Sequence, residues 1–105
     1  MIKRTHTCGD LCAKNIGKTV SLNGWISKNR DLGGLHFIDL RDRYGRTQII
    51  FNEDINKDVF DRVKKLGLED VIGITGKVAN RPDDAVNKNL PTGEVDVEVM
   101  DLFIY

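Results

Sequence analysis

Apolar and polar residues alternate in the first half of the chain, and this alternation predicts three β-strands. It runs over residues 19–28, 35–41 and 47–51. Period-two patterns rich in β-branched and aromatic residues are typical of half-buried strands. Residues 31–34, with two glycines, and residues 42–45 have turn composition and separate the strands. We therefore expect an antiparallel meander, with Gly24 marking a bend or bulge in the first strand.

The hydrophobic period changes after the third strand. Ile55, Val59, Val63 and Leu66 follow a helical spacing and form one apolar stripe. Asp54 or Asn56 is available as an N-cap, and Gly67 is placed to end the helix. The pattern therefore predicts one amphipathic helix.

Strand character returns in the last third of the chain. Residues 71–79 are rich in β-branched residues, and a polar loop over 80–93 contains both prolines. Residues 94–99 alternate clearly, which predicts valines inward and acids outward. Three strands, a helix and two strands is the order of the all-β, five-stranded Greek-key barrel called the OB-fold, which commonly binds oligonucleotides or oligosaccharides. A β-sandwich is the alternative.

Size and charge limit the classes of function. The 105 residues are enough for one domain, and 16 Lys and Arg balance 16 Asp and Glu. Net neutrality excludes a uniformly basic coat that wraps DNA. Residues 1–52 nevertheless carry nine bases and four acids, which suggests an anion-facing surface built from the early elements. No apolar run approaches the ~20 residues of a membrane-spanning helix, and residues 1–6 do not resemble a secretory signal. We expect a cytoplasmic protein.

Few residues are suited to metal binding or catalysis. Cys8 and Cys12 match no zinc framework, and we expect free thiols that pack as small hydrophobes. The phosphate-loop and nucleophile-elbow motifs are missing, and His6 and His36 are the only histidines. We interpret His36 as structural and expect neither a metal site nor a catalytic site in this chain.

A binding surface is better supported. If Ile38 and Leu40 face the core, alternation turns Phe37 outward, where its ring can stack on an unpaired base. A register slip of one residue would instead bury Phe37. The same rule turns Gln48 outward, where its amide can contact a base edge.

Groups flanking these two residues complete the predicted surface. Lys28 and Arg30, at the end of the first strand, can meet phosphates or a base edge, and Trp25 is assigned to the core. Asp96 and the 87–93 loop, which includes Asn87, form the other edge of the expected cleft. A carboxylate there can accept hydrogen bonds from the donors of guanine; the alternative is that Asp96 belongs to a solvated strand face.

Several segments together resemble a known family. They are T-H-T-C-G-D-L at 5–11, G-W at 24–25, R-D-L-G-G-L at 30–35, F-I-D-L-R-D-R at 37–43, Gly45, Gln48 and L-P-T-G-E-V at 90–95. In order and spacing they resemble the amino-terminal anticodon-binding domain of bacterial-type aspartyl-tRNA synthetases, over nearly the whole chain. The sequence departs from that family at Asp96, where a glutamate is frequent, and at Ile50, which is aromatic in some relatives.

The resemblance implies an OB-fold domain over residues 1–105 that grips the anticodon loop of aspartate tRNA. The anticodon of that tRNA has guanine, uracil and cytosine. Phe37 would stack on the middle base, Arg30 and Gln48 would contact base edges, and Asp96 would face the first base, the guanine. The catalytic domain, with its ATP and magnesium sites, would follow Tyr105, so this chain alone would not attach aspartate to tRNA. The parent enzyme is expected to be a homodimer, and the isolated domain a monomer.

Two other classes of function stay open at this point. One is the equivalent domain of an asparaginyl- or lysyl-tRNA synthetase, which shares the fold. The other is a general single-strand-binding OB protein, or an OB-fold that only docks other proteins.

Overall fold

Five strands close into a barrel in the order β1-β2-β3-β5-β4 in the computed structural model, which describes residues 1–105. They are β1 (Thr19–Asp31), β2 (Leu35–Asp42), β3 (Gly45–Asn52), β4 (Val71–Asn80) and β5 (Val95–Ile104). β3 and β5 pair in parallel, and the other pairs are antiparallel. The predicted five-stranded barrel is confirmed and the sandwich alternative is wrong. β5 runs to Ile104, five residues beyond its predicted end.

β1 is long because it serves two sides of the barrel. Residues 19–25 pair with β4 and residues 25–31 pair with β2. The register shifts between Ile26 and Lys28, so the predicted irregularity lies there and not at Gly24. Gly24 is needed for a different reason: a Cβ at this position would lie 2.3 Å from the carbonyl oxygen of Arg41. The close approach of β1 and β2 therefore depends on this glycine.

The core fills the barrel with the inward side chains of each strand. Val20, Leu22 and Ile26 on β1 are fully buried, as are Ile38 and Leu40 on β2. The assignment of Trp25 to the core is wrong, because its side chain is 37% exposed. Successive residues of a strand point to opposite faces, so the inward neighbours at positions 24 and 26 place the indole outside.

The helix α1 (Lys57–Val63) is shorter than predicted. Asn56 is its N-cap, and the Asn56 side chain accepts a hydrogen bond from the Val59 amide at 3.2 Å. Val59 and Val63 of the predicted stripe are buried, but Ile55 precedes the helix and is 51% exposed. The helix ends before Gly67 is reached. No helix of the structure is long and apolar enough to cross a membrane.

The segment before β1 packs against the β2–β3 hairpin. The Cys8 amide donates to the Asp42 carboxylate at 2.8 Å, and the Thr47 hydroxyl donates to the Cys8 carbonyl at 2.7 Å. The Cys8 side chain is fully buried. Burial raises the pKa of the Cys8 thiol well above its ordinary value, and the neighbouring charge of Asp42 adds to this. Both cysteines are free thiols, as expected.

Candidate nucleic-acid interface

An open cleft of about 520 Å³ lies on the outer face of β1, β2 and β3, with the β4–β5 loop as its far wall. Four cations and one carboxylate line it, together with one aromatic ring and two side-chain amides. The lining residues are Lys28, Arg30, Phe37, Asp39, Arg46, Gln48, Arg81, Ala85, Asn87 and Leu90. The cleft is therefore locally positive although the whole chain is neutral, which favours an anionic ligand.

The strand register arranges the lining residues in rows. Arg30 on β1 pairs with Phe37 on β2, and one row further along, Lys28 pairs with Asp39. Asp39 in turn pairs with Gln48 on β3. Cross-strand partners lie about 5 Å apart on one face. The ring, the amide and both cations therefore share one surface that extends over two adjacent rows of side chains.

Phe37 lies on this surface and not in the core. His36, Ile38 and Leu40 are buried, whereas Phe37 is half-buried. The predicted face assignment of β2 is therefore confirmed, and the alternative of a one-residue slip is wrong. The Arg30 guanidinium lies 5.6 Å from the centroid of the Phe37 ring. This cation–π contact restricts both side chains before any ligand is present.

Asp96 differs from the prediction. The alternation of residues 94–99 predicts exposed acids, and Glu94 and Glu98 are exposed, but Asp96 is only 4% exposed. The parallel pairing of Ile49 with Val97 brings Asp96 beside Gln48. The alternative that Asp96 belongs to a solvated face is therefore wrong.

Burial changes the acidity of this carboxyl group. It raises the pKa of Asp96 to about 6, with a further rise from the charge of Glu98. The Arg81 guanidinium and a hydrogen bond from the Gln48 side chain oppose the rise. Asp96 is thus a carboxylate of low hydration directly behind the amide of the cleft.

Arg81 is a residue of the site that the sequence analysis missed. It is 8% exposed, and its Nε donates to the Val95 carbonyl at 2.9 Å while Nη1 approaches the Ala85 carbonyl at 3.4 Å. These contacts hold the β4–β5 loop against β5. Arg81 follows the last strand residue and precedes a proline in a polar segment, so no periodicity marks it as buried.

The predicted loop residue Asn87 lies on the same wall of the cleft. The backbone N–H of Asn87 donates to the Gly93 carbonyl at 3.0 Å, so the two ends of the 87–93 loop are held together. A Cβ at position 93 would lie 1.7 Å from the Asn87 carbonyl oxygen, so only glycine fits there. Lys28, Arg30, Phe37, Gln48 and Asn87 thus come together in one cleft, and Asp96 lies just behind it.

His36 lies on the opposite side of β2, inside the barrel. It is 4% exposed, its Nε2 contacts the Asn29 side chain, and its Nδ1 is buried with no partner. Burial lowers the pKa of His36, and the nearby Lys64 lowers it further, against the opposing charge of Asp31. His36 therefore packs as a neutral side chain away from the cleft.

The groups in the cleft are suited to binding unstacked nucleotides. The Phe37 ring offers a stacking platform for any base, and the cations can hold phosphates. The Gln48 amide both donates and accepts, and the Asp96 carboxylate accepts. No group of three or more His, Cys, Asp or Glu residues is arranged to hold a metal ion.

Comparisons with known proteins agree with this geometry. Residues 20–104 match the model of a tRNA anticodon family described as an OB-fold nucleic acid binding domain. The chain is 50% identical over 99 residues to an aspartate–tRNA ligase of Bacteroides thetaiotaomicron, a match that covers 94% of the chain and 16% of the relative. It is also 50% identical over 104 residues to an aspartate–tRNA(Asp/Asn) ligase of Anaeromyxobacter dehalogenans, covering 99% and 17%. The chain thus spans about a sixth of the length of these relatives.

Among solved structures, the asparaginyl-tRNA synthetase of Pyrococcus horikoshii complexed with asparaginyl-adenylate matches with a TM-score of 0.81 and 28% identity. The match covers 99% of this chain and 22% of that one. The whole barrel, including the β4–β5 loop that forms one wall of the cleft, therefore has a counterpart in one part of a larger protein.

Proposed function

Because the chain belongs to the tRNA anticodon family of OB-fold nucleic acid binding domains, we propose that it reads the anticodon loop of aspartate tRNA for an aspartate–tRNA ligase. One observation carries the proposal: Phe37, Gln48, Arg30 and Lys28 share one open, locally positive cleft on a closed barrel. The 50% identity to aspartate–tRNA ligases over nearly the whole chain supports the choice of tRNA.

Each part of the cleft has a role in this proposal. Phe37 stacks on the middle base, uracil, and the Arg30 guanidinium that rests against the ring contacts a base edge. Gln48 donates to and accepts from a second base edge. Lys28 and Asn87 hold the backbone on opposite sides of the cleft. Asp96 accepts hydrogen bonds from the donors of guanine, and a buried carboxylate without such donors is unfavourable.

The proposed reaction belongs to the whole enzyme. That enzyme would join aspartate to its tRNA with ATP and magnesium in a catalytic domain outside residues 1–105, and would act as a cytoplasmic homodimer. Residues 1–105 would form its anticodon-binding domain and would be monomeric in isolation. An equivalent role in an asparaginyl- or lysyl-tRNA synthetase is less supported, since the asparaginyl relative is 28% identical against 50% for the aspartate ligases.

A competition experiment tests this function. The domain is bound to a labelled aspartate anticodon stem-loop and challenged with unlabelled competitors: the same stem-loop, one with a scrambled loop, the asparagine stem-loop, and poly-dT. We expect the aspartate stem-loop to displace the label at the lowest concentration, with the asparagine stem-loop nearest to it because only the third anticodon base differs. Equal competition by all four would indicate general single-strand binding. Failure to bind any RNA would indicate a protein-docking domain.

A further inference from the structure

A second basic surface lies at the tip of the β2–β3 hairpin, outside the contacts proposed for the anticodon bases. It consists of Arg4, Arg41, Arg43, Tyr44 and Arg46, and we refer to it as the arginine cluster. A cavity of about 310 Å³ at the cluster is lined by Arg41, Tyr44 and Arg46 together with part of the β4–β5 loop. Arg46 also lines the cleft, so the two surfaces are continuous.

The guanidinium groups of the cluster make no hydrogen bond within the chain. Those of Arg4 and Arg43 lie 5.3 and 5.5 Å from the centroid of the Tyr44 ring. The Tyr44 side chain is 55% exposed, so both cation–π contacts lie at the surface. The guanidiniums of Arg62 and Arg81 donate to backbone carbonyls. Those of the cluster have no hydrogen-bond acceptor in the chain.

Two of the nearby carboxylates already have partners. Asp42, in the hairpin itself, is 8% exposed and accepts from the amides of Cys8, Tyr44 and Gly45 at 2.8, 2.8 and 3.1 Å. Asp10 accepts from the Thr7 amide at 2.9 Å. These contacts fix the hairpin and the segment that carries Arg4. The guanidiniums of the cluster are therefore free to bind a ligand from outside the chain.

The position of the cluster indicates which part of an RNA it meets. Four residues of β2 separate Phe37 from Arg41, a distance of about 14 Å at 3.4 Å per residue. A nucleotide at the cluster is thus well beyond the base stacked on Phe37. Guanidiniums that make no hydrogen bond within the chain suit phosphates, which position an RNA without reading its sequence.

We propose that the arginine cluster binds the phosphate backbone of the paired stem that carries the loop held in the cleft. This inference rests on the proposed function, since it assigns a second contact to the same RNA. The arginine cluster thereby increases the affinity for RNAs that have the stem, and the cleft discriminates among loop sequences.

Two RNAs and three variants test the inference. The RNAs are the aspartate anticodon stem-loop and its loop alone as a short single strand. The variant R41Q/R43Q removes two guanidiniums that do not line the cleft. The variant K57Q/K65Q removes the same charge from exposed positions on and just after α1, and F37A removes the stacking ring. Dissociation constants are measured over a range of salt concentrations, and thermal unfolding verifies the fold of each variant.

We expect R41Q/R43Q to weaken binding of the stem-loop and to leave binding of the loop strand unchanged. Loss of two phosphate contacts reduces the salt slope by about 1.8, which corresponds to about 30-fold in affinity at about 0.15 M salt. K57Q/K65Q should not change the salt slope of either RNA by a comparable amount. F37A should weaken binding of both RNAs.

The outcomes that contradict the inference are distinct. Equal losses from R41Q/R43Q and K57Q/K65Q would show a diffuse charge effect, and equal losses on both RNAs would place the contact in the loop. Either result overturns the stem contact. If F37A weakens binding and R41Q/R43Q does not, the stem contact is wrong and the proposed function stands. If F37A has no effect on either RNA, the proposed function itself fails.

Discussion

Replacing Asp96 by asparagine should stabilise the domain at neutral and higher pH. The carboxyl group is 4% exposed, and burial raises its pKa from 3.8 to about 6. Ionising it in the folded state therefore requires more free energy than in the unfolded chain. Asparagine keeps nearly the same shape and carries no charge, so this penalty disappears in the variant.

The size of the effect follows from the change in pKa. Each pKa unit corresponds to about 1.4 kcal/mol, so a rise from 3.8 to about 6 corresponds to about 3 kcal/mol. The opposing contributions of Arg81 and Gln48 are already contained in that pKa. A penalty of this size is a large part of the usual stability of a small domain.

The sign of the pH dependence is fixed by the direction of the shift. Below the unfolded pKa of about 3.8, Asp96 is protonated in both the folded and the unfolded state. Its ionisation then makes no difference between the free energies of unfolding of wild type and variant. Between that value and about 6 the folded state binds more protons, so the wild type loses stability as pH rises. Above about 6 the loss is complete and constant.

Urea unfolding of wild type and D96N from about pH 3.5 to 8 measures this difference. The free energies of unfolding should agree at the acid end and diverge by up to about 3 kcal/mol above pH 6, with D96N the more stable. RNA binding by D96N should be weaker, because the amide presents an N–H to the guanine donors. A difference that does not vary with pH, or a D96N domain less stable at pH 8, would refute the reasoning.

Three further substitutions test other parts of the structure. Phe37→Ala should reduce RNA affinity by about 1–3 kcal/mol with an unchanged thermal midpoint, since it removes a stacking surface; a large drop in the midpoint would place the ring in the core after all. Gln48→Ala should lower discrimination at one anticodon base by about 1–3 kcal/mol, measured with loops changed one base at a time, and uniform weakening across all loops would contradict the assigned role. Gly24→Ala should lower the free energy of unfolding, measured with urea, by more than about 2 kcal/mol, because the alanine Cβ would lie 2.3 Å from the Arg41 carbonyl oxygen. A free energy of unfolding near that of wild type would show that β1 and β2 can move apart at this point without destabilising the barrel.

The strands were predictable because their alternation is a local property. Each of the five appears where the pattern indicates, and the faces of Phe37 and Gln48 follow from the buried positions beside them. The same rule would have placed Trp25 outside, since Val20, Leu22 and Ile26 face in. Assigning the indole to the core by its size alone led to the error.

The other differences arise from long-range contacts that no local pattern records. Asp96 is buried where β5 runs parallel to β3, next to Gln48 and Arg81, and its sequence neighbours give no sign of this. Arg81 is buried because its guanidinium finds backbone carbonyls within that loop. The helix is short: its buried residues are Val59, Phe60 and Val63, Leu66 packs against the core from beyond its end, and Ile55 precedes it and is exposed.

The buried carboxylate lies where the proposed function needs selectivity. A stacking ring accepts any base and cations accept any phosphate, so in the proposed complex Phe37, Arg30 and Lys28 would supply affinity with little discrimination among loops. Discrimination among loops requires polar groups that lose their hydrogen bonds when the wrong base is bound. The free-energy cost of an unpaired polar group is greatest where water is excluded. Gln48 and Asp96 are adjacent across β3 and β5, and Asp96 is the less hydrated of the two. Under the proposed function, the burial of Asp96 would therefore lower the stability of the domain and sharpen its selection of guanine.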